Sequence, residues 1–255
     1  MIWHRLLPAV VCLLLSACSG IQSTPQTLAG NNCMLLNDDQ QLVVNLSREM
    51  VAESRLHAAL ANLETLPHDI DEVRLHKARI LRQLGDSRAG GLYESLMGGC
   101  FVAEGHHGLG QLAAQDMRYD EAESHLRKAA QLIPVNSAMR NDLGLVYLNL
   151  RRLEDAQFEL LTAIELDPLA DEPVDNLLTL LIYQDQWQQA GAFVKKLSLP
   201  PDRFQQAETR ARAMRLQDQR AGRTAPVNSA LSQTVPLQLR YPKVEEHPTM
   251  PESRQ

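Results

Sequence analysis

The side chains best suited to chemistry cluster between positions 98 and 121 of the 255-residue chain. His106 and His107 are adjacent, so on a helix they point about 100° apart and cannot share one metal ion as an i, i+4 pair does. They read as solvated or groove-lining histidines. Gly98, Gly99, Gly105, Gly108 and Gly110 suggest a phosphate loop by density alone. No strand pattern precedes them and no Lys-Ser or Lys-Thr follows, so they fail the tests for phosphate and dinucleotide loops and read as a hairpin junction with close helix packing. Asp120 and Glu121 stand where a helix begins, a place the helix dipole reserves for negative charge. Neither a nucleophile elbow nor a His-Glu-x-x-His pair occurs. The sequence therefore assigns no catalytic residue, no metal ligand and no cofactor, and it predicts neither enzymatic activity nor a small-molecule substrate.

A different chemistry is written at the N-terminus. Residues 1–5 carry Arg5 and no acid, Leu6 to Leu15 is apolar apart from Pro8, and Leu15-Ser16-Ala17-Cys18 follows. A charged start, a short apolar run and small residues make 1–17 a secretory signal, and the run is shorter than the ~20 residues a spanning helix needs. The last four residues resemble a bacterial lipobox. That resemblance implies cleavage before Cys18 and acylation of that cysteine, palmitate included. Ser19, in a place where Asp is absent, implies sorting to the outer membrane, facing the periplasm. Each buried CH₂ contributes about 0.8 kcal/mol, so one acyl chain holds marginally and two or three hold stably. Residues 18–40 then form a lipidated tether, whose Ser, Gln, Thr and Asn have little to bury. Cys12 leaves with the signal, which leaves Cys33 and Cys100 as thiols in an oxidising compartment. A Cys33–Cys100 disulfide and two buried free thiols both remain open.

The elements that hold such a chain must be helices. Aromatic residues make up only 4%, while Ala, Leu and Gln are abundant, which favours an all-α fold. With 44% apolar residues the chain is not wholly disordered. A net charge of −6 gives no attraction to phosphate backbones, so nucleic acid is not an expected partner.

Self-similarity organises the middle. Leu109, Leu143 and Leu177 lie 34 apart, as do Ala122, Ala156 and Ala190, and Leu126, Leu160 and Val194; Gly110 with Gly144, Ala129 with Ala163, and Pro134 with Pro168 repeat at the same step. Leu143, Gly144, Tyr147 and Leu148 stripe one helix, Ala156, Leu160, Ala163 and Ile164 a second, and the prolines stop the second helix. These residues resemble the tetratricopeptide repeat (TPR), which implies a superhelical solenoid of helix-turn-helix hairpins. Clear copies cover 103–136 and 137–170, with degenerate hairpins before and after inside a domain of 41–202. A polar capping helix is expected over 203–220 and a Pro-rich tail without regular structure over 221–255.

The resemblance also implies that the first helix of each hairpin lines a hollow. Its positions are Glu104, His107, Gln111 and Gln115 in one copy, Asn141, Leu145, Leu148 and Asn149 in the next, and Asp175, Thr179, Ile182 and Tyr183 in the third. No Lys/Arg/Asn clamp for a terminal carboxylate is assembled among them. Leu145, Leu148, Ile182 and Tyr183 either receive an amphipathic helix or finish the core. The stretch Arg140-Asn141-Asp142-Leu143-Gly144, with Phe158 to Pro168, looks most like the Tad (Flp) pilus assembly lipoprotein family, TadD. That likeness implies a pilotin: a protein that binds the pilus secretin, or another pilus-assembly protein, and uses its lipid anchor to bring it to the outer membrane. The alternative is a periplasmic TPR adaptor that gathers cell-wall enzymes or serves another type IV pilus or secretion system.

Overall fold

Asn37 opens the first helix with a reciprocal cap. Its Oδ1 accepts from the Gln40 amide at 2.9 Å, and Gln40 Oε1 accepts from the Asn37 amide at 3.0 Å. Two amides that no helical carbonyl can reach are thereby satisfied. The structure is a computed structural model that describes residues 34–223. The signal, Cys18, Cys33 and nearly all of the Pro-rich tail lie outside the described residues.

Among the described residues there are eleven helices and no strand, as the composition predicts. They are α1 Asp38–Ala52, α2 Leu56–Leu63, α3 Asp71–Gln83, α4 Arg88–Ser95, α5 Val102–Gln115, α6 Tyr119–Leu132, α7 Ser137–Asn149, α8 Leu153–Leu166, α9 Asp171–Tyr183, α10 Trp187–Leu197 and α11 Pro201–Arg220. The first ten pair into five hairpins. Each hairpin turn closes through one residue in the left-handed region: Ser54, Gly85, Met117, Arg151 and Asp185, with φ between 58° and 70°. The last three sit 34 residues apart, so the turn geometry repeats with the period even where glycine does not. Helices α6 and α8 end just before Pro134 and Pro168, and Pro201 occupies the first turn of α11, where its missing N–H costs nothing.

Within a hairpin the helices approach closely. A Cβ on Gly110 would stand 2.6 Å from Leu126 Cγ, and one on Gly144 would stand 2.8 Å from Leu160 Cγ. The paired columns of glycine and leucine are one contact made twice. Core side chains run from hairpin to hairpin, and Ala122, Leu126, Ala156, Leu160, Leu177 and Ala190 are all fully buried.

The polar helix at the C-terminal end lies along α9. Arg203 reaches Asp175 at 2.7 Å and Asp171 at 2.6 Å, while Arg215 donates to the carbonyls of Ile182 and Tyr183. Asp218, which is 1% exposed, accepts from the Tyr183 hydroxyl at 2.6 Å and pairs with Arg151 at 2.9 Å. Cys100 is disulfide-bonded, and its amide donates to Asp71. No helix among the described residues is long and apolar enough to cross a membrane.

Candidate protein-binding groove

Helix α5 turns glycine toward its neighbours: a Cβ on Gly108 would fall 2.1 Å from the Tyr93 ring. Its other face is left polar and carries His107, Gln111 and Gln115. The His107 Nε2–H donates to Asp142 Oδ2 of α7 at 2.7 Å, and Gln111 Nε2 donates to the same oxygen at 2.7 Å. Asn141 donates to the other Asp142 oxygen, and Asn176 of α9 donates to Asn141 Oδ1 at 2.9 Å. A ladder of polar side chains therefore crosses α5, α7 and α9, in which both Asp142 oxygens and Asn141 Oδ1 are filled. Such a ladder fixes the rotamers that face the hollow.

Against this ladder lies a cavity of about 350 Å³. Gln111, Gln115, Leu145 and Asn149 line it as the sequence predicts, Asp142 and Arg82 join them, and Leu126 and Val146 form its floor. Leu145 is the apolar residue that stays open, at 38% exposure. His107 supports the cavity through Asp142. The remaining expected groove positions fall elsewhere. Asn141 is buried within the ladder and Leu148 is buried in the core. Thr179, Ile182 and Tyr183 do not face the hollow: all three are buried and finish the core, because the second half of α9, from Leu177 on, is buried all round and α11 packs along it. Burial first, then the bond to Asp218, pushes the Tyr183 hydroxyl up to about 12.

A second cavity, of about 280 Å³, opens between α1 and α3 and is lined by Arg48, His76 and Arg79 above Leu63 and Ile80. Sequence reasoning missed it, since these hairpins lie outside the clear repeats and offer no matching column. The signal within reach was the basic pair Arg79 and Arg82, one turn apart on a predicted helix. Burial, reinforced by Arg79 and Arg48, holds His76 down at about 4, so it is neutral near pH 7.

His106 turns away from His107 and meets a partner that its sequence neighbours do not reveal. Its Nδ1 lies 3.0 Å from Nδ1 of His125 on α6, and burial, with His125 and Lys128 nearby, lowers its pKa. Among the described residues no group of three or more His, Cys, Asp or Glu side chains is placed to hold a metal ion. The arrangement offers amide donors, a guanidinium and an apolar floor, which is equipment for holding a peptide.

Known proteins carry the same architecture. The tetratricopeptide repeat family profile matches residues 113–181. A TPR repeat-containing protein of Pseudomonas aeruginosa is 42% identical over 178 residues, covering 70% of this chain and 73% of that protein. Among solved structures, Pseudomonas aeruginosa pilF superposes with a TM-score of 0.55 at 16% identity, over 71% of this chain and 91% of that one. A thermophilic TPR protein of Thermus thermophilus gives a TM-score of 0.52 at 22% identity, over 69% and 99%. At these identities the two structures speak to the fold alone.

Proposed function

This chain belongs to the tetratricopeptide-repeat proteins, scaffolds for protein–protein interaction, and from that premise we propose that it is a pilotin: a lipid-anchored outer-membrane assembly factor for the secretin of a Tad (Flp) pilus. The observation that carries the reading is the open, donor-rich groove of α5 and α7 in a chain whose N-terminal end bears Leu15-Ser16-Ala17-Cys18. A groove supplies recognition and acyl chains supply location, so delivery of a client needs no bond to be broken. The Tad assignment rests on the repeat sequence around Arg140-Asn141-Asp142-Leu143-Gly144. Acylated Cys18 would hold the protein on the periplasmic face, and the client segment would lie against Gln111, Gln115, Leu145 and Asn149.

Deleting the gene tests this directly. Secretin should then remain unassembled or in the wrong membrane, as read by membrane fractionation and by the heat-resistant multimer on gels. Normal secretin rings in the outer membrane of the deletion strain would overturn the proposal.

A further inference from the structure

Most arginines among the described residues are ion-paired, and of those that are not, Arg210 and Arg220 are exposed on α11. Arg74, Arg118, Arg140, Arg151, Arg152, Arg203 and Arg215, among others, are ion-paired within the fold. Arg48, Arg79 and Arg82 have no ion pair among the described residues; Arg82 reaches the Tyr93 hydroxyl, while its Nε is buried without a hydrogen-bond partner. These three are also the arginines that line the two cavities, Arg82 that of α5 and α7, and Arg48 and Arg79 that of α1 and α3. Helix α3 carries Arg79 and Arg82 one turn apart, and so feeds a cation to each.

Free carboxylates for them are missing from the cavity walls. The cavity of α1 and α3 has no carboxylate in its lining, and the cavity of α5 and α7 has one, Asp142, already taken by His107 and Gln111. Glu72 brings a carboxylate to 4.0 Å from His76 beside the cavity of α1 and α3, and it pairs with none of the three arginines. An unpaired guanidinium over an apolar floor is a poor arrangement for the free protein and a good one for a complex, because a carboxylate offered there gains charge-assisted, two-point hydrogen bonds. His76 between them has its pKa lowered first by burial and then by Arg79 and Arg48.

We propose that the groove from α1 to α7 binds an acidic, amphipathic segment of a partner protein, whose carboxylates pair with Arg48, Arg79 and Arg82 while its apolar side chains rest on Ile80, Val146 and Leu145. The proposal deepens the protein-binding reading given above and rests on it. It differs from capture of a chain terminus, since three guanidiniums spread over two cavities call for several internal Asp or Glu residues.

The test uses the full-length chain and a fluorescein-labelled peptide of Glu, Leu and Ala, beside a twin with Gln at every Glu. By anisotropy the Glu peptide should bind at least roughly tenfold tighter than its twin, and the advantage should shrink as salt rises. Arg82→Gln should remove about tenfold of that affinity and the triple variant with Arg48→Gln and Arg79→Gln roughly a hundredfold, with the twin unaffected. Arg210→Gln, exposed on α11, serves as the folded control and should change neither. Equal binding of the two peptides, or an unchanged triple variant of native circular dichroism, would overturn the proposal. So would equally arginine-dependent binding of a single-stranded oligonucleotide, which would make the strip a site for any polyanion. Tighter binding by Glu245→Gln, Glu246→Gln protein would also overturn it, by making the chain's own tail the occupant. The secretin reading fails separately: purified secretin that ignores a protein able to bind the Glu peptide would sink that client and leave the acidic-segment proposal standing.

Discussion

Arg151 concentrates several demands in one side chain. It closes the α7–α8 turn at φ 64°, donates to the carbonyls of Leu148 and Asn149, pairs with Asp218 and lies 5.2 Å from the Tyr183 ring centre. The left-handed backbone costs about 1 kcal/mol for a residue with a Cβ, and here the side chain's bonds offset it. Met117 occupies the equivalent turn with no such return, since it is 74% exposed. Met117→Gly is therefore expected to stabilise the fold by about 0.5–1 kcal/mol, measured by urea denaturation; a loss of stability would show that the turn is unstrained. Gly144 makes the opposite case. Gly144→Ala places a methyl against Leu160 and should cost about 1–3 kcal/mol in the same assay. His76 gives a pH signature. Its folded pKa of about 4 lies below its ordinary 6.5, so the unfolded chain takes the proton first. Its contribution to stability is complete above about pH 6.5 and is lost as pH falls toward 4. His76→Gln should flatten the change in urea midpoint across that window, and an unaltered slope would assign it to other groups.

At the scale of elements, α11 is joined to the repeats by polar contacts at its two ends and by Ala207 and Ala211 between them. Removing one member of a buried ion pair leaves the other uncompensated, so Asp218→Ala should destabilise the protein by about 3 kcal/mol. Hydrogen exchange should show the loss first in α11 and in the C-terminal turns of α7 and α9, and uniform loosening would contradict this local role. Here the limits of the sequence are visible. Leu109, Ala122, Pro134 and their repeats announce the hairpins because periodic packing must be written as periodic residues. Helix α11 reads as polar, and its docking on α9 depends on one acid, Asp218, and on arginines that look like any solvated face. Thr179, Ile182 and Tyr183 were legible as apolar or small positions on α9; what covers them was not. Gln111, Gln115, Leu145 and Asn149 were recoverable because they sit in the two clear copies, whereas Arg48, His76 and Arg79 belong to hairpins whose period has drifted.

For the molecule as a whole, location and recognition are assigned to separate parts. Cys18→Ser removes the residue proposed as the acylated anchor and changes none of the described residues. The variant should still bind its client when purified, yet leave that client undelivered in fractionated cells; loss of binding in solution would contradict the separation. What both parts serve is the groove as the place where a protein partner sits. Photo-crosslinking in the native cell, with a light-activated residue placed singly at Leu145 in the groove and at Phe158, which is exposed on α8, examines that most directly. A discrete crosslinked partner from position 145, absent from position 158 and lost when Arg82 is replaced, is the predicted result. The same partner captured from 158 and not from 145 would place binding on another face and contradict the groove.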